Sequence, residues 1–295
     1  MTRHVILLTG GTGTLGTLTA AALLQNDDVE IVTPVRSHHP VNAVATGVGR
    51  ELALSGALPS PDWQQRLHQV PLPLGVDQPD LPDPLRELDA IVEKFGVNEI
   101  VHCAGCLSYF NEDALRAVNV EMTQRFVDSA KRWGVRRFVH ISTAFASGFV
   151  DGPILEKLHE GPASDPTFYT KSKRLGEQIV ANSGVPYLIL RPSIVIGDSR
   201  DGHYTGPRYG LYQLWSGVER FLLDEWHSEL HYVAPQSTVP LIHQDAFQSG
   251  FIAAWRDLPD DSICHLTSRG GPSVQEIADL FVHQYLRPET IHYYE

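Results

Sequence analysis

The stretch Val5-Ile6-Leu7-Leu8-Thr9-Gly10-Gly11-Thr12-Gly13-Thr14-Leu15-Gly16 decides the fold. Four apolar residues bounded by turn formers read as a short buried strand. Glycines at 10, 13 and 16 follow with the spacing G-x-x-G-x-x-G, and Leu15, Leu18, Ala22 and Leu23 then share one helical face. Strand, glycine loop and helix in that order make a phosphate cradle. Glycines let backbone amides approach a pyrophosphate closely, and the helix N-terminus adds partial positive charge. Thr9, Gly10, Gly13, Thr14, Leu15 and Gly16 are therefore the expected dinucleotide contacts.

Further along, apolar runs alternate with helical stripes. Val29 to Val35 reads as strand two, with Pro34 an awkward member because it cannot donate to a ladder. It ends at Arg36, followed by Ser37. In a dinucleotide fold this position faces the adenosine ribose. A cation there suits a 2′-phosphate, where an acid would suit a free hydroxyl, so NADP(H) is favoured over NAD. Residues 38 to 71 read as a helix and a long loop. A third strand is expected over Gln69 to Leu74, with Asp77 near the adenine. Leu85, Leu88, Val92 and Phe95 mark an amphipathic helix stopped by Gly96. Glu99 to Ala104 reads as strand four, and Ala104 and Gly105 are small enough to let a cofactor pass. Leu115, Val118, Met122, Phe126, Ala130 and Trp133 form one long stripe, with Asn119 inside it. Arg137 to Ile141 is strand five and delivers Ser142-Thr143-Ala144. Pro186 to Leu190 is strand six and leads into Arg191-Pro192-Ser193-Ile194. The class is α/β, a Rossmann-type doubly wound parallel sheet over residues 1–197.

Tyr169-Thr170-Lys171-Ser172-Lys173 places a phenol and an ammonium one helical turn apart. A cation beside a tyrosine favours its phenolate and makes the proton more transferable.

Composition narrows the alternatives. The 295 residues carry a net charge of −12, which disfavours nonspecific binding to nucleic acid or anionic membrane. No apolar run reaches the ~18 residues of a membrane span, and the N-terminal one is too short for a signal peptide. Three cysteines make no disulfide framework, so a cytoplasmic setting is the default. Cys103-Ala104-Gly105-Cys106 has no second pair to complete a metal site, and His227 and His231 lack the motif of a zinc helix, so no metal is expected.

Thr9 to Gly16, Ser142-Thr143, Tyr169-x-x-x-Lys173 and Arg191-Pro192, in this order, resemble the extended short-chain dehydrogenase/reductase superfamily. Val101-His102-Cys103-Ala104-Gly105, Val118-Asn119-Val120, Glu156 and Arg191 through Ser199 with Gly202 resemble its thioester-reductase and fatty-acyl-CoA-reductase, male-sterility-like branch. That resemblance implies an NADPH-dependent enzyme reducing an acyl thioester, on coenzyme A or a carrier protein, to aldehyde or alcohol. It implies that Thr143 binds the substrate carbonyl and that Tyr169 is the acid. Lys173 would bind the nicotinamide ribose and lower the tyrosine pKa, Asn119 would support a proton relay, and the main chain of Pro192, Ser193 and Ile194 would face the carboxamide. A ketone or hydroxysteroid-type dehydrogenase, a sugar-nucleotide epimerase or dehydratase, and a non-enzymatic NADP sensor are the alternatives. A homodimer is compatible with such folds.

Residues 198–295 read as a small, discontinuous substrate-binding lobe, with 239–268 crossing back to the nucleotide domain. Its start is rich in aromatics: Tyr204, Tyr209, Tyr212, Trp215, Phe221 and Trp226. Leu211, Leu214, Val218 and Phe221 share a face that either lines a pocket or packs in a core. Ser273 with Glu276 starts a last helix. Lys131, Arg132, Arg136 and Arg137 either serve a helix C-terminus or dock an acidic carrier protein.

Overall fold

The structure, a computed structural model, describes residues 3–57, 59–71, 84–109, 111–150, 152–159, 164–224, 230–285 and 291–294. The first half of the chain runs β1 (His4–Thr9), α1 (Thr14–Leu24), β2 (Val29–Val35), α2 (Ala43–Ser55), β3 (Leu67–Pro71), α3 (Asp89–Phe95), β4 (Glu99–His102), α4 (Glu112–Leu115), α5 (Thr123–Trp133) and β5 (Arg137–Ile141). It continues through α6 (Phe168–Ala181), β6 (Tyr187–Pro192), β7 (Ile194–Ile196), α7 (Leu211–Asp224), β8 (Leu230–Val233), β9 (Leu241–His243) and α8 (Gln244–Asp257). It ends with β10 (Ser262–Leu266), α9 (Val274–Tyr285) and β11 (Ile291–Tyr294).

A seven-stranded sheet in the order β10-β6-β5-β4-β1-β2-β3 forms the centre, and every pairing in it is parallel. Alternate residues of each strand feed opposite faces. Ile6 and Leu8 join Leu18, Leu23, Val48 and Phe251 on one side. Val5 and Leu7 join Leu88, Val92 and Phe126 on the other. The chain departs from β1 in both directions, to β2 and β3 one way and to β4, β5 and β6 the other. The crevice between β1 and β4 is thus the switch point where such sheets bind ligands.

Pro34 sits inside β2, opposite Val70 of β3, whereas β1 pairs with β2 only as far as Val32. The missing donor falls beyond the last β1–β2 pair, Leu7 with Val32, at the end of that ladder. The third strand begins at Leu67, two residues before the expected start. Its expected end beyond Pro71, and Asp77, lie outside the described residues. Strand four stops at His102, which frees Ala104 to leave the sheet. Within residues 241–266, β10 joins the large sheet beside β6, while β9 pairs with β7 in a separate two-stranded sheet. Ser273 and Glu276 cap α9 reciprocally: Glu276 Oε2 accepts from Ser273 N at 2.7 Å and Ser273 Oγ accepts from Glu276 N at 3.0 Å.

The stripe from Leu115 to Trp133 is one continuous helix with a wide π segment, Arg116–Met122, between α4 and α5. Asn119 lies in that segment. Gly176 of α6 packs so near that a Cβ there would stand 3.0 Å from Asn119 O.

Candidate active site

The glycine loop folds back on itself. Gly10 adopts φ +71°, a conformation costly for other residues. A Cβ on Gly10 would stand 2.6 Å from Ala104 N, and one on Gly16 would stand 2.1 Å from Gly10 O. Neither position tolerates a side chain, so loop, helix and β4 end close together with the first-turn amides of Thr14 and Leu15 at the helix start. Thr9 turns inward: its hydroxyl accepts from Ala104 N at 3.2 Å and meets His102 Nδ1 at 2.8 Å. It positions the Ala104-Gly105 turn. Arg36 follows β2 directly and is exposed, with His38 and His39 beside it in the same turn.

Across the crevice, β6 ends at Pro192. The amides of Ser193 and Ile194 donate to Leu266 O and Pro240 O at 3.0 and 3.3 Å, so these donors are taken by neighbouring segments. What remains for a ligand is the Ser193 hydroxyl, which is buried and has no hydrogen-bond partner among the described residues. A sterically closed glycine cradle on one side and an orphaned hydroxyl on the other fit a dinucleotide lying across the switch point.

The catalytic candidates converge. Thr167 caps α6 and accepts from Thr170 N at 3.2 Å. This starts the helix so that Tyr169 faces Thr143, which β5 delivers; the Thr143 hydroxyl accepts from Phe145 N at 3.4 Å and acts on the phenol as a polar neighbour that lowers its pKa. Tyr109 packs edge-on against Tyr169 with ring centroids 5.3 Å apart. Lys173, one turn along, is buried and donates to Ile141 O at 2.6 Å.

The electrostatics set the two groups apart. Tyr169 is raised above its ordinary pKa, first by burial and then by Tyr109, against the Thr143 hydroxyl. Burial, the largest cause, favours the protonated phenol, while the Lys173 ammonium is aimed at the Ile141 carbonyl. Lys173 is the perturbed base: burial lowers it to about 8, opposed by Glu177 and Cys103. Behind it, burial takes His102 down to about 3 and His140 well below its usual value, so both rings are neutral. Burial also pushes the Cys103 thiol up to about 12, which leaves it inert at neutral pH.

Asn119 serves the scaffold. Its Oδ1 accepts from Cys106 N at 2.8 Å, and its Nδ2 donates to Cys106 O and to Ser172 Oγ at 3.1 and 2.9 Å. These bonds lock the turn after Gly105 to α6; both amide hydrogens are engaged, and Oδ1 keeps a second lone pair.

Several residues, or the roles they play, escaped the sequence reading. Glu177 and Arg191 form a bidentate pair at 2.9 and 2.7 Å, each side chain 1% exposed, and Ser142 Oγ donates to the same carboxylate. Glu177 lies four residues after Lys173, a spacing that could have flagged it. Tyr109 and Phe168 line a cleft of about 1340 Å³ with Lys171 and, from α7, Gln213, Leu214 and Val218. The open question about that α7 face is thereby answered for Leu214 and Val218, which look onto the cleft; the side chain of Phe221, and Trp226, lie outside the described residues. So does His227. Asp198, Asp201 and His203 bring ligand atoms within 4.8 Å of one another, but Arg200 already holds Asp198 at 2.8 Å.

Three of the four cations in the basic cluster are engaged by the fold. Arg136 bonds buried Glu99 at 2.6 Å, Arg137 bonds Asp260 and two backbone carbonyls, and Arg132 bonds Asp89 at 2.9 Å. Glu99 and Arg137 begin their strands, so the cluster lies at the edge of the sheet opposite the crevice.

The profile of the family described as Male sterility protein matches residues 8–245. The chain belongs to that family. Among solved structures it is similar to the terminal R domain from the myxalamid PKS-NRPS biosynthetic pathway, with TM-score 0.77 and 22% identity over 100% of this chain and 73% of that one. It is similar also to UDP-glucuronic acid 4-epimerase from Bacillus cereus, solved with UDP-glucuronic acid and NAD, at TM-score 0.67 and 19% identity over 99% and 86%. A third is dTDP-glucose 4,6-dehydratase from Bacillus anthracis in complex with NAD, at 0.67 and 18% over 99% and 84%. No curated protein matches at a significant level. The Male sterility member described here has the extended short-chain dehydrogenase/reductase fold, and no helix among its described residues is long and apolar enough to cross a membrane.

Proposed function

We propose that the protein is an NADPH-dependent reductase of an acyl thioester, on coenzyme A or a carrier protein, or of a related carbonyl. The observation that carries this reading is the juxtaposition of the Tyr169 and Thr143 hydroxyls beside an open cleft with the Lys173 ammonium buried behind them. A reduced nicotinamide, when bound, supplies the hydride. Gly10, Gly13, Thr14, Leu15 and Gly16 would hold its pyrophosphate, Arg36 its 2′-phosphate, Lys173 its ribose, and the Ala104-Gly105 turn and Ser193 would flank it. Tyr169 and Thr143 both donate to the substrate carbonyl oxygen, where negative charge develops. Two preorganised donors there are worth ~10²–10³ in rate apiece. Tyr169 passes its proton to that oxygen, and Lys173, with one of its three donors on Ile141, keeps positive charge nearby.

The cleft walls, Tyr109, Phe168, Leu214 and Val218, suit an apolar acyl group. The test is a panel of acyl-CoA, carrier-bound and free carbonyl compounds with NADPH or NADH, followed by nicotinamide absorbance. Oxidation of NADPH with a thioester supports the proposal; turnover of free ketones alone, or of sugar nucleotides without net reduction, overturns it. Arg36→Ala should weaken NADPH about ten- to a hundredfold and NADH little, since a charge-assisted phosphate contact contributes about 1.5–3 kcal/mol. Equal losses for both cofactors remove the case for NADP at this residue.

A further inference from the structure

We propose that Tyr204 is a positioning residue for the bound dinucleotide, a strap from the segment after β7 onto the first residue of the glycine-loop helix. This rests on the reading above for the identity of the ligand. Thr14 opens α1, whose N-cap, Gly13, has no side chain to cap it. The phenol of Tyr204 donates to Pro207 O at 3.4 Å and lies against the Thr14 side chain. Gly206 lies against the same contact: a Cβ there would stand 2.4 Å from Thr14 Oγ1 and 2.6 Å from Tyr204 Oη. Gly206 has no positive φ, so closeness alone demands the glycine.

The strap is held on both sides. Tyr204 stacks on Tyr212 of α7, ring centroids 4.1 Å apart and planes 23° off parallel. Tyr212 Oη accepts from Gly197 N at 2.7 Å. Toward α2, Arg200 donates to Ser55 O at 2.6 Å and Thr205 to Glu51 Oε2 at 3.3 Å. Toward α8, Ser199 Oγ donates to Asp245 at 2.6 Å. Tyr204 is thus a half-buried side chain fixed by its neighbours. Its phenol sets the hydroxyl of Thr14 at the mouth of the amides that receive a pyrophosphate. The same α7 that carries Tyr212 turns Leu214 and Val218 onto the cleft, so the strap joins the cleft wall to the cradle.

Tyr204→Phe keeps the stack and removes the hydroxyl, while Gly206→Ala forces Thr14 and Tyr204 apart. NADPH and NADH are titrated separately into each protein without any acyl compound, by quenching of tryptophan fluorescence, and dissociation rates are read by displacement. Tyr204→Phe should weaken both dinucleotides by the same factor, about three- to tenfold, the worth of one neutral hydrogen bond. Most of the loss should appear as faster dissociation. Gly206→Ala should do at least as much. The urea midpoint of the unliganded Tyr204→Phe protein should stay at the wild-type value, which separates positioning from a general loss of structure. Wild-type affinity and dissociation rate in Tyr204→Phe, or a loss confined to NADPH, overturn the proposal. A wild-type protein that binds neither dinucleotide removes the proposed function and this role together.

Discussion

At the scale of single residues, the site separates a fixed proton donor from a titrating cation. Tyr169 is held protonated by burial, and Lys173 is lowered to about 8. Tyr169→Phe keeps the ring against Tyr109 and removes the proton. It should lower kcat/KM for reduction by ~10² or more while dinucleotide affinity stays; a near-native rate would show that the acid is another group. The pH dependence has a defined sign. The proposed reaction uses the ammonium of Lys173, and burial favours its neutral form, so activity should be full below about 8 and fall as pH rises through that value. Initial rates at saturating cofactor from about pH 6 to about pH 10 should show this single alkaline limb. A flat profile across that range would mean that Lys173 is not the titrating group.

At the scale of elements, α6 is the organiser. One helix presents the acid at Tyr169, the cation at Lys173 and the buried carboxylate at Glu177, and its first turn is set by the Thr167 cap. Arg174, bound bidentately to Asp165, pins the segment before the cap. Glu177 ties α6 to β6 through Arg191 and to the end of β5 through Ser142. Arg191 in turn holds the backbone of Leu155 and Lys157. Glu177→Gln leaves the Arg191 guanidinium without its charge partner in the interior. The change should cost about 3–5 kcal/mol in urea unfolding and move the alkaline limb of activity to lower pH, because Glu177 raises the Lys173 pKa. A loss under about 1 kcal/mol would mean that water reaches the pair.

At the scale of the whole molecule, parallel strands send all functional loops to one edge, and this decides where a partner can act. The sequence cluster at Lys131, Arg132, Arg136 and Arg137 belongs to the other edge, about 16 Å away along a five-residue strand. Lys131→Glu with Arg132→Glu should leave KM for carrier-bound and free substrates alike, since the Arg132–Asp89 pair is half-exposed and worth at most about 1 kcal/mol. A selective rise in KM for carrier-bound substrate would restore the docking role. The strand, glycine loop and helix, the alternation through β6, and the Tyr169, Lys173 and Thr143 set were legible in sequence, because each depends on local spacing: period two, period 3.6, and glycine where backbone must meet backbone. The direction of the Tyr169 shift, the structural duty of Asn119 and the engagement of Arg136 and Arg137 were not, because each depends on what lies across a packed interface. Burial, and the identity of a partner distant in sequence such as Glu99 for Arg136 or Arg191 for Glu177, arise only when the chain is folded. The local code thus determined the fold and marked the candidate groups, while tertiary packing decided their surroundings and which charges were left free to meet a ligand.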